Sequence, residues 1–134
     1  NPHRVVFVED LQAIDVERHG PVLERRHPDG LNVEFVQVLA PDHLAVRVWE
    51  RGVGVTLACG TGACAALVAA SQAGLAGRSA RVDLPGGTLE VTWEPEGPVR
   101  LTGPARHLFG GEWSPDGGGP SFEVAPSQAK GASS

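Results

Sequence analysis

The chain has no apolar run long enough to cross a membrane, and no signal-peptide pattern is visible in its residues. It has no cluster of Lys or Arg. Eleven basic residues against sixteen acidic ones give a formal charge of -5, which argues against nucleic acid as a partner. Cysteine is scarce, with two in 134 residues, so no disulfide framework is present. Cys59 and Cys64 sit five residues apart and would point in divergent directions on a helix. A mutual disulfide is not expected, and two free thiols suit a reducing, cytoplasmic setting. His19, His27, His43 and His107 fall on predicted surfaces or turns without ligand spacing, so no metal site is indicated. There is no internal repeat. The chain also lacks a starting methionine: it opens on Asn1-Pro2-His3, and Val5, Val6, Phe7 and Val8 follow at once. A strand with no lead-in reads as a cut made inside a larger protein.

What is present is ordinary material for one domain, 41% hydrophobic and 20% charged. Residues 4–9 read as a strand. Residues 15–27 read as a helix with Asp15 as its N-cap, an interruption at Gly20-Pro21, and an end at Pro28-Asp29-Gly30. Two alternating strands follow. In the first, Val33, Phe35 and Gln37 oppose Glu34, Val36 and Val38. In the second, Leu44, Val46 and Val48 oppose Ala45, Arg47 and Trp49. The turn Ala40-Pro41-Asp42-His43 makes them an antiparallel hairpin. Residues 62–74 are apolar on every side, the mark of a buried helix, which Gly74 or Gly77 would end. A second hairpin covers 79–84 and 88–94 around Pro85-Gly86-Gly87, then come a strand at 98–102 and a short one within 104–113. The expected fold class is α/β (α+β): a mostly antiparallel, curled sheet wrapped around one central apolar helix. The domain runs over 1–113. Residues 114–134, rich in Gly, Pro, Ser and Ala, are expected to be a flexible tail.

The stretch Trp49 to Ala66, WERGVGVTLACGTGACAA, carries the chemistry. A loop delivers Cys59, followed by Gly60-Thr61-Gly62, to the start of the buried helix. Backbone N–H groups there are unsatisfied and the helix dipole is positive, a setting that favours a thiolate and a bound carboxylate or phosphate. Taken as residue types alone, Cys59 also fits a small buried apolar residue, His3 a strand residue, Asn32 a turn residue after Gly30, and Glu50 and Arg51 a solvated pair at a strand end. Cys64, mid-helix among alanines, reads as core.

Five motifs decide between these readings. They are N-P-H at 1–3, G-L-N-V-E-F at 30–35, the V-W-E-R-G…A-C-G-T-G-A-C-A-A block at 48–66, L-P-G-G-T-L at 84–89 and L-T-G-P-A at 101–105. In that order they resemble the C-terminal half of diaminopimelate epimerase. A bare C-G-T-G would be weak, since cofactor-independent proline racemases carry something similar. The resemblance implies a two-domain fold of which this chain is one half. It implies an isomerase of lysine and cell-wall precursor synthesis, interconverting LL- and meso-diaminopimelate without metal or cofactor. One cysteine thiolate removes the α-proton and a second cysteine thiol protonates the opposite face. Cys59 would be the second cysteine, with His3 and Glu50 as its catalytic neighbours. Asn1, Asn32, Glu50, Arg51, Gly60 and Thr61 would contact substrate. The first cysteine belongs to a missing N-terminal half-domain, so this chain alone is expected to be inactive.

The chemistry is demanding. An ordinary thiol, with pKa about 8.5, needs roughly 2.7 kcal/mol from its surroundings to drop two units. A helix terminus supplies ~0.3–1 kcal/mol and up to ~2 when partly buried, which leaves a share for His3. Two positions depart from the family pattern: Val55 stands where Glu is common, and Leu31 where Thr is usual. The alternatives are a related racemase or isomerase of the same superfamily with another small acid substrate, and an inactive module that self-associates, as a homodimer, through its exposed cleft face or sheet edges.

Overall fold

A computed structural model of the chain describes residues 2–103 and the backbone of two further strands, 110–113 and 122–125. β1 (His3–Phe7) is followed by a 3-10 turn (Leu11–Ala13) and α1 (Val16–Glu24). The long hairpin β2 (Asn32–Ala40) and β3 (His43–Glu50) comes next, with a short β4 (Gly54–Thr56) folded back on it. α2 (Gly60–Gln72) leads to β5 (Ser79–Leu84), β6 (Gly87–Trp93), β7 (Val99–Thr102), β8 (Gly110–Trp113) and β9 (Phe122–Ala125). These strands form one sheet in the order β8-β7-β6-β5-β3-β2-β1-β9, with β4 beside β3.

The ladders β1–β2, β1–β9 and β3–β5 are parallel and the other five are antiparallel. The mostly antiparallel character expected from the hairpins therefore holds, with parallel crossovers joining them. β4 was not legible as a strand. Of the stretch 114–134, expected to be a flexible tail, Phe122–Ala125 is described, as a strand running parallel to β1. The rest of that stretch lies outside the described residues.

α2 explains the curl. Ala63 through Ala70 are all buried, so the helix has no side to offer water. It packs against β1, β2, β3, β5, β6, β7 and β9, strands from nearly the whole width of the sheet. A flat sheet with strands ~4.8 Å apart could not reach one helix from so many positions. The alanines let the strands approach closely, and Leu67 and Val68 fill the centre. Each such large side chain contributes about 1.5–3 kcal/mol on burial.

The other face of β1, β2 and β3 is covered by α1 and the 3-10 turn. Val6, Val8, Leu11, Ile14, Val16, Leu31, Val33 and Phe35 form this second core. Asp15 caps α1 as expected, its carboxylate accepting from the Arg18 N–H at 3.2 Å. Gly20-Pro21 does not interrupt the helix, contrary to expectation. Gly20 instead gives the Trp49 ring its seat: a Cβ there would lie 2.4 Å from the indole. Trp49 also donates its indole N–H to Glu24 at 2.7 Å, tying α1 to β3. Leu31, a departure from the family pattern, is buried in this second core. Val55, the other departure, lies on β4 and is 39% exposed.

Candidate active site

Strand pleating dictates where the polar residues meet. Successive side chains alternate between faces. Val5 and Phe7 of β1 pack against α2, so His3 projects to that same face. Val36 of β2 does likewise, which places Glu34 and Asn32 there, and Leu44, Val46 and Val48 of β3 do the same for Glu50. β1 and β2 run parallel and β3 runs back, with His3 opposite Asn32 and Glu34 opposite Val48. The starts of β1 and β2 and the end of β3 thus share one end of the sheet. There the face that meets α2 changes from apolar to polar.

The N-terminus of α2 arrives at that end. Cys59 is its N-cap, with extended backbone (φ -146, ψ 105). Its sulfur takes the place a Ser or Asp oxygen commonly holds, accepting the Gly62 N–H at 3.3 Å, and Sγ lies 3.6 Å from the Thr61 hydroxyl. Gly62 is closely flanked: a Cβ on it would sit 3.1 Å from both Cys59 Sγ and Glu34 Oε1, tighter than an ordinary contact. One glycine therefore separates the thiol from the buried carboxyl. That same carboxyl oxygen is held by a partner within the sheet. Glu34 Oε1 and His3 Nδ1 are 2.6 Å apart, and both side chains are wholly buried.

Asn32 is buried, and its Oδ1 accepts the Arg51 backbone N–H at 2.8 Å, which locks the end of β3 to the start of β2. The Arg51 guanidinium reaches the Asp29 carbonyl, with Nη1 donating at 3.0 Å. Gly60 is buried and Thr61 exposed, at the first two positions of α2. Their N–H groups are among those a helix's own ladder leaves unpaired. Asn1 lies outside the described residues. So His3, Asn32, Glu50, Cys59, Gly60 and Thr61 converge on one end of the sheet, and Arg51 enters through its backbone.

The electrostatics differ from expectation. A helix N-terminus was expected to hold Cys59 as a thiolate. Burial instead pushes the Cys59 thiol up from its ordinary value, helped by the charges of Glu34 and Glu50, and the Thr61 hydroxyl and Gly62 N–H offset this only in part. Cys64 is buried in α2, where desolvation and then the neighbouring Cys59 push its thiol up to about 12. It is core, and both cysteines are free thiols. Burial also pushes the Glu34 carboxyl up, against the opposing pull of its hydrogen bond and charge interaction with His3.

Glu34 was read from the sequence only as a motif letter and a strand position. The available signal was its parity: a carboxylate sharing a strand face with Val36 and Val38 is an ionisable group aimed at the core. Among the other histidines, His43 pairs with Asp83 at 2.6 Å, and His27 Nδ1 accepts the Asp29 N–H at 3.2 Å. His107 lies outside the described residues. No group of three or more His, Cys, Asp and Glu side chains among the described residues could hold a metal ion. No helix among them is long and apolar enough to cross a membrane.

The diaminopimelate epimerase family profile matches residues 1–108. The diaminopimelate epimerase of Rhodospirillum centenum is 53% identical over 116 residues, 85% of this chain and 40% of that protein. Those of Synechococcus elongatus and Leptospira biflexa are each 51% identical, over 113 and 114 residues, again about 40% of their lengths. The chain thus spans about 40% of the length of these curated relatives. Among solved structures, a phenazine biosynthesis protein of the PhzF family from Bacillus anthracis superposes with a TM-score of 0.52 at 18% identity, covering 72% of this chain and 33% of that one. That likeness shows the fold. The sequence match extends from the Asn-Pro-His start through the Cys59 block and beyond it, and on that ground the chain belongs to the diaminopimelate epimerase family.

Proposed function

We propose that this chain supplies one of two acid/base thiols to a diaminopimelate epimerase, and that Cys59 is that thiol. The observation that carries the reading is the Cys59 sulfur at the N-cap of α2, accepting the Gly62 N–H beside the buried His3–Glu34 pair. The raised thiol suits a resting proton donor. In the forward direction the substrate Cα–H bond breaks on one face, its proton passing to the thiolate of a second cysteine. The electron pair left on Cα is delocalised toward the α-carboxylate. The Cys59 S–H then breaks and a new Cα–H bond forms on the opposite face. The sulfur left as an anion faces the Gly62 N–H and the positive end of α2, interactions that strengthen once it is charged. In reverse the same thiolate is the base. No metal or organic cofactor enters these steps.

On this reading the Gly60 and Thr61 N–H groups receive the α-carboxylate, a role supported by their position at the start of α2. Asn1, Asn32, Glu50 and Arg51 are assigned to the remaining amino and carboxylate groups, with Glu50 also keeping negative charge near the thiol. The second cysteine and the wall that closes the site belong, on this reading, to a second half-domain. The whole enzyme acts in lysine and cell-wall precursor synthesis in the cytoplasm. The test is solvent-deuterium incorporation into LL-diaminopimelate by the native enzyme carrying this chain. Cys59→Ala is expected to lower kcat by about 10²–10⁴-fold, the range for loss of a positioned acid or base. Epimerisation at an unchanged rate in that variant sinks the assignment.

A further inference from the structure

We propose that Glu34 is a positioning residue of this site: it holds the His3 ring by Nδ1 and, through Gly62, sets the spacing between that ring and the Cys59 sulfur. The inference rests on the reading of Cys59 just given and adds a residue to it. Three observations carry it. Oε1 of Glu34 lies 2.6 Å from His3 Nδ1, with both side chains wholly buried. The same Oε1 lies 3.1 Å from where a Gly62 Cβ would be, as does Cys59 Sγ, so carboxyl and thiol both flank Gly62 in the first turn of α2. Oε2 is buried without a hydrogen-bond partner among the described residues.

A buried carboxyl oxygen left so carries a desolvation cost. A group kept at that cost, with one oxygen on an imidazole and one glycine between it and a thiol, is better placed to orient a site than to stabilise a core. A carboxylate on one ring nitrogen fixes the tautomer and orientation of the ring, and so directs any proton exchange to the other. With Nδ1 engaged, His3 exchanges protons with the reacting groups through Nε2. The charged and titratable groups that face Glu34 are His3 on β1, Glu50 at the end of β3 and Cys59 at the start of α2. A proton added to Glu34 removes a negative charge that acts on the thiol. The charge state of the pair is therefore felt at the sulfur.

The experiment compares Glu34→Gln, Glu34→Asp and Cys59→Ala in the native enzyme, with LL-diaminopimelate as substrate. Glu34→Gln is expected to lower kcat by about 10–100-fold, the usual cost of losing an outer carboxylate on a working histidine, with KM within about twofold. Its pH–rate profile shifts, and Glu34→Asp recovers part of the loss. Each variant is also followed by thermal unfolding and by imidazole 15N shifts of His3. Wild-type kcat and pH profile in Glu34→Gln overturn the proposal while leaving Cys59 in place. A loss that only tracks the unfolded fraction, in both Glu34 variants and with an unmoved pH profile, overturns it as well. An active Cys59→Ala overturns the reading of the site beneath it.

Discussion

Two histidine–carboxylate pairs in this chain have the same separation and opposite character. His3–Glu34 and His43–Asp83 both close to 2.6 Å. The first is wholly buried at the end of the sheet where α2 begins. The second lies on the surface between β3 and β5, with His43 23% and Asp83 39% exposed. In the first, desolvation outweighs the partner and the carboxyl is pushed up. In the second, desolvation is the largest single effect, but hydrogen bonds from His43 and Thr88 and the charges of His43 and Arg81 together outweigh it, so the Asp83 carboxyl is held down. Contact distance therefore says little about what a pair does. The water it excludes decides whether a proton is held or released.

Removing Glu34 is the largest blow to this contrast. Glu34→Ala leaves an imidazole buried without its carboxyl and a void beside Gly62. It is expected to lower stability by about 3–5 kcal/mol in urea unfolding, the range for breaking a buried pair from one side. A loss below ~1 kcal/mol would place the pair in the same class as the surface one. Gly62→Ala comes next. Its Cβ would press on the sulfur and Oε1 together, at an expected cost of about 1–3 kcal/mol for overpacking, with a changed rate of Cys59 alkylation. Unchanged alkylation would show that glycine to be a convenience of the backbone. The smallest effect belongs to Asp83→Asn, expected to cost no more than ~1 kcal/mol and to shrink with added salt, because its pair is exposed.

The two carboxyls also carry opposite pH signatures. Asp83 has a lowered folded pKa, so its contribution is present above the unfolded value near ~3.9 and is lost as pH falls through the folded one. Glu34 has a raised folded pKa, so its contribution is present below the unfolded value near ~4.3 and is lost as pH rises through the folded one. Stability of each Gln or Asn variant relative to wild type, followed from pH 3 upward, should therefore change in opposite directions. Parallel curves would mean that burial is not what separates the pairs.

Sequence reasoning reached the elements whose signals are local. Asp15 marked the start of α1, the alternation of Val33–Val38 and Leu44–Trp49 gave the hairpin, and the all-apolar run after Gly62 gave α2. It missed what depends on distant partners. β4 is three residues long and exists because β3 turns back at Gly52 and Gly54, whose positive φ values of 78 and 105 suit glycine. β9 forms alongside β1, with residues 8–121 of the chain between them, beyond any window of periodicity. Pro21 predicted a break that the Trp49–Gly20 contact overrides. At the candidate site, Cys59, His3, Asn32 and Glu50 were named from motif and resemblance, and the fold gathers them at one end of the sheet. The upward push on the thiol was not legible, because a helix terminus can be read from spacing whereas burial comes from the whole sheet. Glu34 fell between these cases, visible by parity but unweighted without its imidazole.

α2 has one more consequence. A segment with no water-tolerant side cannot persist before its wrapping does, and its neighbours come from both ends of the strand order. The perch on which the Cys59 sulfur rests is thus assembled in the same cooperative event that curls the open sheet around α2, by residues far apart along the chain. Reactivity at that single atom becomes a readout of global integrity: a weakened strand at β7 or β9 would betray itself first as a thiol that reagents can reach.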